Sequence, residues 1–500
     1  MRAPISINPG QPIPLYFQLK TLLLEAMIRG EYGPGDRLPT EHELCRQYGL
    51  SRTPVHRALS ELATEGVILR HRRRGTFVNP HWARRRGSEL RVVVPAEGPW
   101  ESLVRKTAPD DLTINVVTVP RSDLHRALTL AVAEGQAPDL AVLDSVWMPE
   151  FAAAGFLHAI DDLDPEWIRR EFETDFLPPL VEANRYGGRT YAVSTVADVA
   201  GVWFRRQAFE SAGVEPATTW AELRAVAQAI SASGVRHPLA MPAGSRGAET
   251  TSYCLLAFLA SNGVEVLTAD GVLLAERRTV EGLRFLRRLV TDGLLPADAV
   301  SYEWDRSVRL LAKGQAAMSF GGSYEARALA RELGVRINEL DEHVGFTTMP
   351  RGPHGAPAAL IGTMVCGIFR QAPYPDLAMR LLRHLVAPEA VAAIGIATGR
   401  IPPRRSAVAI AGPRMPFLKA TAEMLDRAVS RPATPVYPRV SQQVQAMLEA
   451  VLTGRLTPAR AAHRAAELIG AITGLSVGRG AEPVGDRVGT QSQLAALKRR

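Results

Sequence analysis

The sequence predicts a multidomain chain: a small α+β module of three helices and a two-stranded hairpin, followed by a larger α/β body of two lobes. Three observations carry this. Residues 1–88 hold fourteen Lys and Arg against seven Asp and Glu, a net of +7 in a chain whose total is +8. The same stretch reads as helix, helix, turn, helix and hairpin, with capping and turn residues in place. Beyond residue 90, short β-rich runs alternate with helical ones, which argues for open α/β sheets rather than an all-helical body. At 500 residues the chain is also too long for one ordinary core. The expected divisions are a module over 1–80, a linker over 81–89, a body over 90–470 and a disordered tail over 471–500.

The first helix follows Pro14, with Leu15, Leu19, Leu22, Leu23 and Ala26 at helical spacing and Gly30 closing the run. Thr40 and Glu43 have the spacing of a capping box and open a second helix reaching about Tyr48. Gly49-Leu50 makes the turn, and Ser51 is expected to cap a third helix with Pro54 in its first turn. On that helix Val55, Ala58, Leu59 and Leu62 share one face, while Thr53, His56, Arg57 and Ser60 share the other, with Arg52 at the N-terminal lip. An apolar back and a basic, polar front describe a helix that reads a major groove. Val67–Arg70 and Thr76–Val78 read as two strands joined by the basic tip His71-Arg72-Arg73-Arg74-Gly75. A basic module is the electrostatic footprint of nucleic acid, although a charge run taken alone is more often a solvated surface. Tyr16 reads equally as a packing residue and as a phosphate contact.

This winged helix-turn-helix order resembles the gluconate-repressor (GntR) family of bacterial transcription factors. The residues that carry it are Pro14-Leu15-Tyr16, Gly35-Asp36-Arg37-Leu38-Pro39-Thr40-Glu41, Leu50-Ser51-Arg52-Thr53-Pro54-Val55, Ala58-Leu59, Leu62, Glu65-Gly66 and Arg74-Gly75-Thr76-Phe77-Val78. The resemblance implies a homodimer on a double-stranded DNA operator with two half-sites. It implies a base-reading role for Arg52, a groove contact for Thr53 and a wing contact around Gly75. His56 stands where the family usually has arginine and His42 where it often does, so either Arg57 takes over part of the reading or the operator differs from the family's usual sequence. The DNA-contact set is therefore Arg52, Thr53, His56, Arg57, His42, Arg72, Arg73 and Gly75.

After the polar, basic stretch His81–Glu89, read as a hinge, strands are expected over 90–94, 113–119, 139–143, 191–196, 200–204, 315–320 and 361–368. Helices are expected over 122–134, 148–155, 219–232, 250–262, 279–291, 305–313, 375–386 and 388–397. A series of stretches resembles the solute-binding protein family 1, the maltose-binding-protein type, whose fold is periplasmic-binding-protein-like (type II). Among them are Ala137-Pro138-Asp139-Leu140, Leu143-Asp144 with Trp147, Tyr186-Gly187-Gly188-Arg189-Thr190-Tyr191, Thr219-Trp220-Ala221-Glu222-Leu223, Gly314-Gln315-Ala316-Ala317-Met318 and Gly399-Arg400-Ile401-Pro402. The resemblance implies a cleft that closes over a small molecule, here a carbohydrate-like effector.

Asp144, Ser145 and Trp147 lie just past the third expected strand, where open α/β sheets bind ligands. Position within the family pattern adds Asp198, Tyr253, Tyr324 and the strand start Gly362-Thr363. Ring faces stacking on aromatics and carboxylates accepting hydroxyl donors suit a sugar. Against these stand plainer readings: Trp203 as core, Asp144 as a helix cap, Tyr324 as a lobe-closing residue.

Cys45, Cys254 and Cys366 are sparse and show no metal-ligand spacing, so neither a zinc site nor a disulfide framework is expected. No apolar run reaches membrane-spanning length and Met1–Gln11 lacks a signal-like apolar region, so the expectation is a cytoplasmic protein without a membrane partner. No GxSxG, HExxH or P-loop is present. Only Lys106, Lys313 and Lys419 lie in the body, none in a phosphate-binding setting, which disfavours fusion to a pyridoxal-phosphate enzyme. A non-enzymatic, cofactor-free regulator is expected, with a transporter's solute-binding component as the alternative.

Overall fold

The computed structural model describes residues 7, 14–28, 30–71, 74–80, 82, 89–268 and 271–478. Helices α1 (Leu15–Ile28), α2 (Glu41–Tyr48) and α3 (Arg52–Thr64) pack beneath the hairpin of β1 (Ile68–His71) and β2 (Gly75–Val78). Thr40 caps α2 as the spacing predicts: the Glu43 amide donates to its hydroxyl at 3.3 Å, and the Thr40 amide donates back to Glu43 at 2.7 Å. Gly49 ends α2 in the left-handed conformation. Ser51 sits at the N-cap of α3, but its hydroxyl makes no capping bond. Pro54 occupies the third helical position and has no amide to offer it. Leu19, Leu23, Leu44, Val55, Leu59, Leu62 and Val78 fill the head's own core.

The body is built on β3 (Glu89–Pro95), α4 (Trp100–Thr107), β4 (Thr113–Val119), α5 (Arg121–Ala133), β5 (Leu140–Asp144), β6 (Val193–Arg205), α6 (Trp220–Ala232), α7 (Ala248–Ala260), β7 (Met318–Gly322), β8 (Ala359–Ile368), α8 (Tyr437–Leu452) and α9 (Pro458–Thr473). One sheet runs β4-β3-β5-β8-β6-β7 and ends on Leu239–Ala240. β3 is parallel to β4 and β5, whereas β8 is antiparallel to both β5 and β6. Lobe one gathers around β3–β5 and lobe two around β7, with the long strands β6 and β8 common to both. Lobe two's core stacks Trp220 on Phe258, with ring centroids 4.3 Å apart.

The separate strands expected over 191–196 and 200–204 are one thirteen-residue strand, β6. Asp198 does not break it, because its carboxylate is paired and its backbone stays in register opposite Gly362. The helical pair α8 and α9, which lies beyond the last expected helix, packs on lobe two through Val440, Val444, Leu448, Ala461 and Ile469. α9 crosses residue 471, where a tail was expected to start, and ends at Thr473; Val477 then bridges to Val272. The expected disordered tail otherwise falls on 479–500, outside the described residues.

The head is seated on lobe one. Phe17 of α1 meets Phe156 with ring centroids 5.9 Å apart, and the Arg370 Nε lies 3.1 Å from the buried Glu25 carboxylate. Gly135, at φ +68°, follows α5 and lies against Leu24 of the head, whose Cδ2 would come within 2.9 Å of a Cβ there. Most of the expected hinge (81 and 83–88) lies outside the described residues, but the head is held by these side-chain contacts and not by the linker alone. The seat is at the amino end of β5: Leu140 pairs with Ile368, two residues before Arg370. The opposite, carboxyl end carries Asp144.

Candidate functional site

On the head, Arg52, Thr53, His56 and Arg57 are all exposed on α3, and His42 is exposed in the first turn of α2. Gly75 opens β2 at φ +113°, and a Cβ there would fall 2.9 Å from the Arg37 Nε, so the wing needs glycine. Arg72 and Arg73 lie outside the described residues. Arg57 stacks over the Tyr16 ring at 3.7 Å and donates to its hydroxyl at 3.1 Å, which joins α1 to the exposed face of α3.

Glu41 and Arg70 carry a role that residue-by-residue reading missed. One Glu41 oxygen lies 3.2 Å from the Arg52 Nε, and the other lies 2.8 Å from the His56 Nδ1 and 2.6 Å from Arg70. Burial pulls this carboxyl upward, but hydrogen bonds with His56, Arg52 and Arg70 outweigh it and hold it below the ordinary carboxylate range. The available signal was the placement of Glu41 one residue after the cap, at the anion-favouring pole of α2.

In the body, the candidate residues converge where the two lobes meet. Asp144 ends β5, accepts from the Val146 amide at 3.3 Å and pairs with Arg121 at 2.6 Å. Asp144 therefore caps the next turn, as its plainer reading had it, and its second oxygen is paired with Arg121. Asp198 takes a bidentate contact from Arg400. Tyr253 rests on Gly362, where a Cβ would come within 2.9 Å of its hydroxyl, and its ring lies 6.1 Å from that of Tyr324. The Tyr324 hydroxyl lies 3.2 Å from Thr250 Oγ1. Trp147 packs edge-on against His125 on lobe one, with ring centroids 5.2 Å apart. Trp203 is wholly buried, as its core reading had it, and donates to the Gly322 carbonyl.

Thr363 does not join this group. Its buried hydroxyl donates to the Val196 carbonyl at 2.6 Å and contacts Ser194 Oγ, so it is spent inside the sheet. Strand alternation places it on the face opposite its neighbours Gly362 and Met364.

The centre of the cleft is occupied by a residue that the sequence did not mark, Arg431. Its side chain is 8% exposed. The guanidinium lies 3.6 Å from Asp144 and 3.4 Å from Ser145 Oγ on lobe one, and 2.9 Å from Glu249 on lobe two. It also faces the rings of Tyr253 and Tyr437 at 5.5 and 6.0 Å. Glu249 accepts in addition from Tyr437 and Ser441. Burial favours the neutral form of Asp144, but Arg431 and Arg121 outweigh it and hold the carboxyl low. Burial pushes the Tyr253 and Tyr324 hydroxyls well up, so both stay protonated donors. The result is a charge-balanced site of three arginines and three carboxylates beside two tyrosine rings: donors and acceptors for hydroxyls, with flat apolar faces alongside. Among the described residues no cluster of His, Cys, Asp or Glu is placed to hold a metal, and no single helix is long and apolar enough to cross a membrane.

Two lobes sharing β6 and β8 around a polar cleft define a solute-binding fold, and the head is a winged helix-turn-helix. The bacterial extracellular solute-binding protein family matches residues 85–392, more than half the sequence, and the chain belongs to it. Residues 15–78 match the bacterial regulatory proteins of the gntR family, so the head is a gntR-type domain. A Brucella abortus (strain 2308) protein whose name calls it a binding protein is 25% identical over 264 residues, 52% of this chain and 61% of its own length. The HTH-type transcriptional repressor NagR of Bacillus subtilis (strain 168) is 43% identical over 75 residues, 15% of this chain and 31% of its own. The chain thus spans less than two thirds of each of these curated relatives. The GacH receptor of Streptomyces glaucescens, solved unliganded and with acarbose, superposes with a TM-score of 0.69 at 19% identity over 78% of this chain and 99% of its own, a likeness of fold. The families present are regulators and binding proteins, not enzymes.

Proposed function

We propose that this chain is a one-component transcriptional regulator whose operator affinity is set by a carbohydrate bound between its lobes. The observation that carries the reading is the seating of the head. β5 and β8 run from the cleft, at Asp144 and Gly362, to the seat of α1, at Leu140 and Arg370. Solute and head thus act on opposite ends of the same strands. The chain works as a cytoplasmic homodimer on an operator with two half-sites, which must lie about one turn (~34 Å) or a multiple apart. Lobe closure changes the relation of lobe two to a head fixed on lobe one, and so re-spaces the paired heads.

Arg52, Thr53, His56, Arg57 and His42 contact the groove, and the wing about Gly75, with Arg72 and Arg73, contacts the backbone or minor groove. In the cleft Asp144, Ser145, Asp198, Arg121, Arg400, Arg431 and Glu249 take hydroxyls, while Trp147, Tyr253 and Tyr324 supply ring faces.

The test is a titration of the intact protein with a duplex enriched from genomic fragments, with and without a panel of mono- and oligosaccharides. An effective sugar is expected to change the affinity by about 5–150-fold, the range of 1–3 kcal/mol coupling. An unchanged affinity with every sugar that the protein binds by calorimetry would refute the regulatory half. Failure to enrich any duplex would refute the operator half.

A further inference from the structure

The head places a carboxylate on the very face that is to meet a polyanion. Every phosphate repels it, and a surface built for affinity alone would carry none. The Glu41 side chain is 18% exposed beneath Arg52 and His56, whose side chains are 83% and 59% exposed. Its three partners come from two elements, α3 (Arg52 and His56) and β1 (Arg70), while Glu41 itself opens α2. One anion thus links both helices of the reading unit to the hairpin. Arg52 spends only its Nε on this contact, and among the described residues its two terminal nitrogens donate no hydrogen bond.

We propose that Glu41 is the specificity-setting residue of the head: it holds Arg52, His56 and Arg70 back from phosphates and presents Arg52, still anchored through Nε, to a matching base. This rests on the reading of the head as a DNA-binding unit. Arg52, anchored through Nε, presents a fixed fork of the kind that accepts guanine O6 and N7 together. Fixing it in advance removes rotamer freedom that would otherwise be lost on binding. On a non-matching duplex the two arginines gain only by turning to phosphates. Turning strands the Glu41 carboxylate beside those same phosphates, without its hydrogen bonds, in a half-buried position. Non-specific binding is penalised by this. Specific binding is not, because Arg52 reaches the base with Nε still held.

Glu41→Gln keeps the shape and removes the charge. The experiment compares the full-length chain and E41Q on a duplex enriched from a random-sequence pool by the wild type, and on a scrambled duplex of equal composition. E41Q is expected to bind the scrambled duplex about tenfold more tightly, and to lose about tenfold or more in the ratio between the two. The plot of log affinity against log salt on the scrambled duplex should steepen by about one to two, as freed cations meet phosphates at ~0.9 each. A purely structural role would not steepen it. Glu41→Asp, which withdraws the charge by one carbon, should move the ratio in the same direction by less, and it serves as the deciding variant if circular dichroism finds E41Q unfolded. An unchanged ratio, or an equal loss on both duplexes with an unaltered salt slope, overturns the proposal. If the wild type enriches no sequence, the DNA-binding reading fails instead.

Discussion

Arg431→Met removes the charge that joins the lobes while preserving most of the side chain's volume. The wild-type guanidinium is almost wholly buried and lies within 3.6 Å of carboxylates from both lobes. Breaking a buried ion pair by deleting one partner costs about 3–5 kcal/mol when the survivor is left uncompensated. Here both survivors keep donors: Asp144 retains Arg121 and the Val146 amide, and Glu249 retains Tyr437 and Ser441. The loss should therefore fall to about 1–3 kcal/mol, close to that of charged hydrogen bonds. Because Arg431 acts across the cleft, the loss falls on the closed arrangement and not on either lobe's core. At 1.4 kcal/mol per factor of ten, the closed-to-open ratio of the ligand-free protein should drop about 5–150-fold. Small-angle scattering of ligand-free R431M should give a larger radius of gyration than wild type, and thermal unfolding should change little once lobe opening is accounted for. An unchanged scattering profile, with or without a lowered melting temperature, refutes the reading of Arg431 as the link between lobes.

Three further outcomes are expected. Asp144, held below its ordinary value of 3.8 by Arg431 and Arg121, stabilises the fold above that value and loses its effect as pH falls through its depressed folded value; the melting-temperature gap between wild type and Asp144→Asn should be widest near neutrality and shrink below pH ~4, and a gap independent of pH would contradict it. Gly75→Ala forces a side chain into φ +113° against Arg37 and should destabilise the wing by about 1–3 kcal/mol, read as faster amide exchange in β1 and β2. Phe17→Ala removes the ring that meets Phe156 and should weaken the seat of the head by about 1–3 kcal/mol, with faster exchange in α1 and unaltered exchange in lobe two; equal protection throughout would mean that the seat contributes nothing.

The head was legible because its signals are local. Thr40 and Glu43 are three residues apart, Gly49 and Gly66 punctuate the helices, and the apolar face of α3 repeats within a few turns. Where local reading failed, a neighbouring residue decided: Pro54 removed the amide that Ser51 would have capped. In the body, Asp144 was placed by the end of its strand and Asp198, Tyr253, Tyr324 and Gly362 by family position, and the structure brings them to one region between the lobes. Thr363 went the other way, because strand alternation turned its hydroxyl into the sheet. Arg431, Arg121, Arg400 and Glu249 were missed. Each is an ordinary charged residue by its local context, and an arginine in a segment such as Ser430-Arg431-Pro432 reads as a solvated loop charge.

By itself the chain of residues determined what short-range physics can determine: where helices and strands start and stop, that a basic reading module precedes a two-lobed α/β body, and which family each resembles. Only the tertiary structure decided which charges are buried together. It put Glu41 under two arginines and a histidine drawn from an adjacent helix and a distant strand, brought Arg431 across 287 sequence positions to Asp144, and set Glu25 of the head against Arg370 of the body. The physical reason is that a charge's role depends on what replaces the water around it. That is fixed by partners far apart in sequence, brought together only when the head's helices pack on its hairpin and β5, β6 and β8 assemble into one sheet.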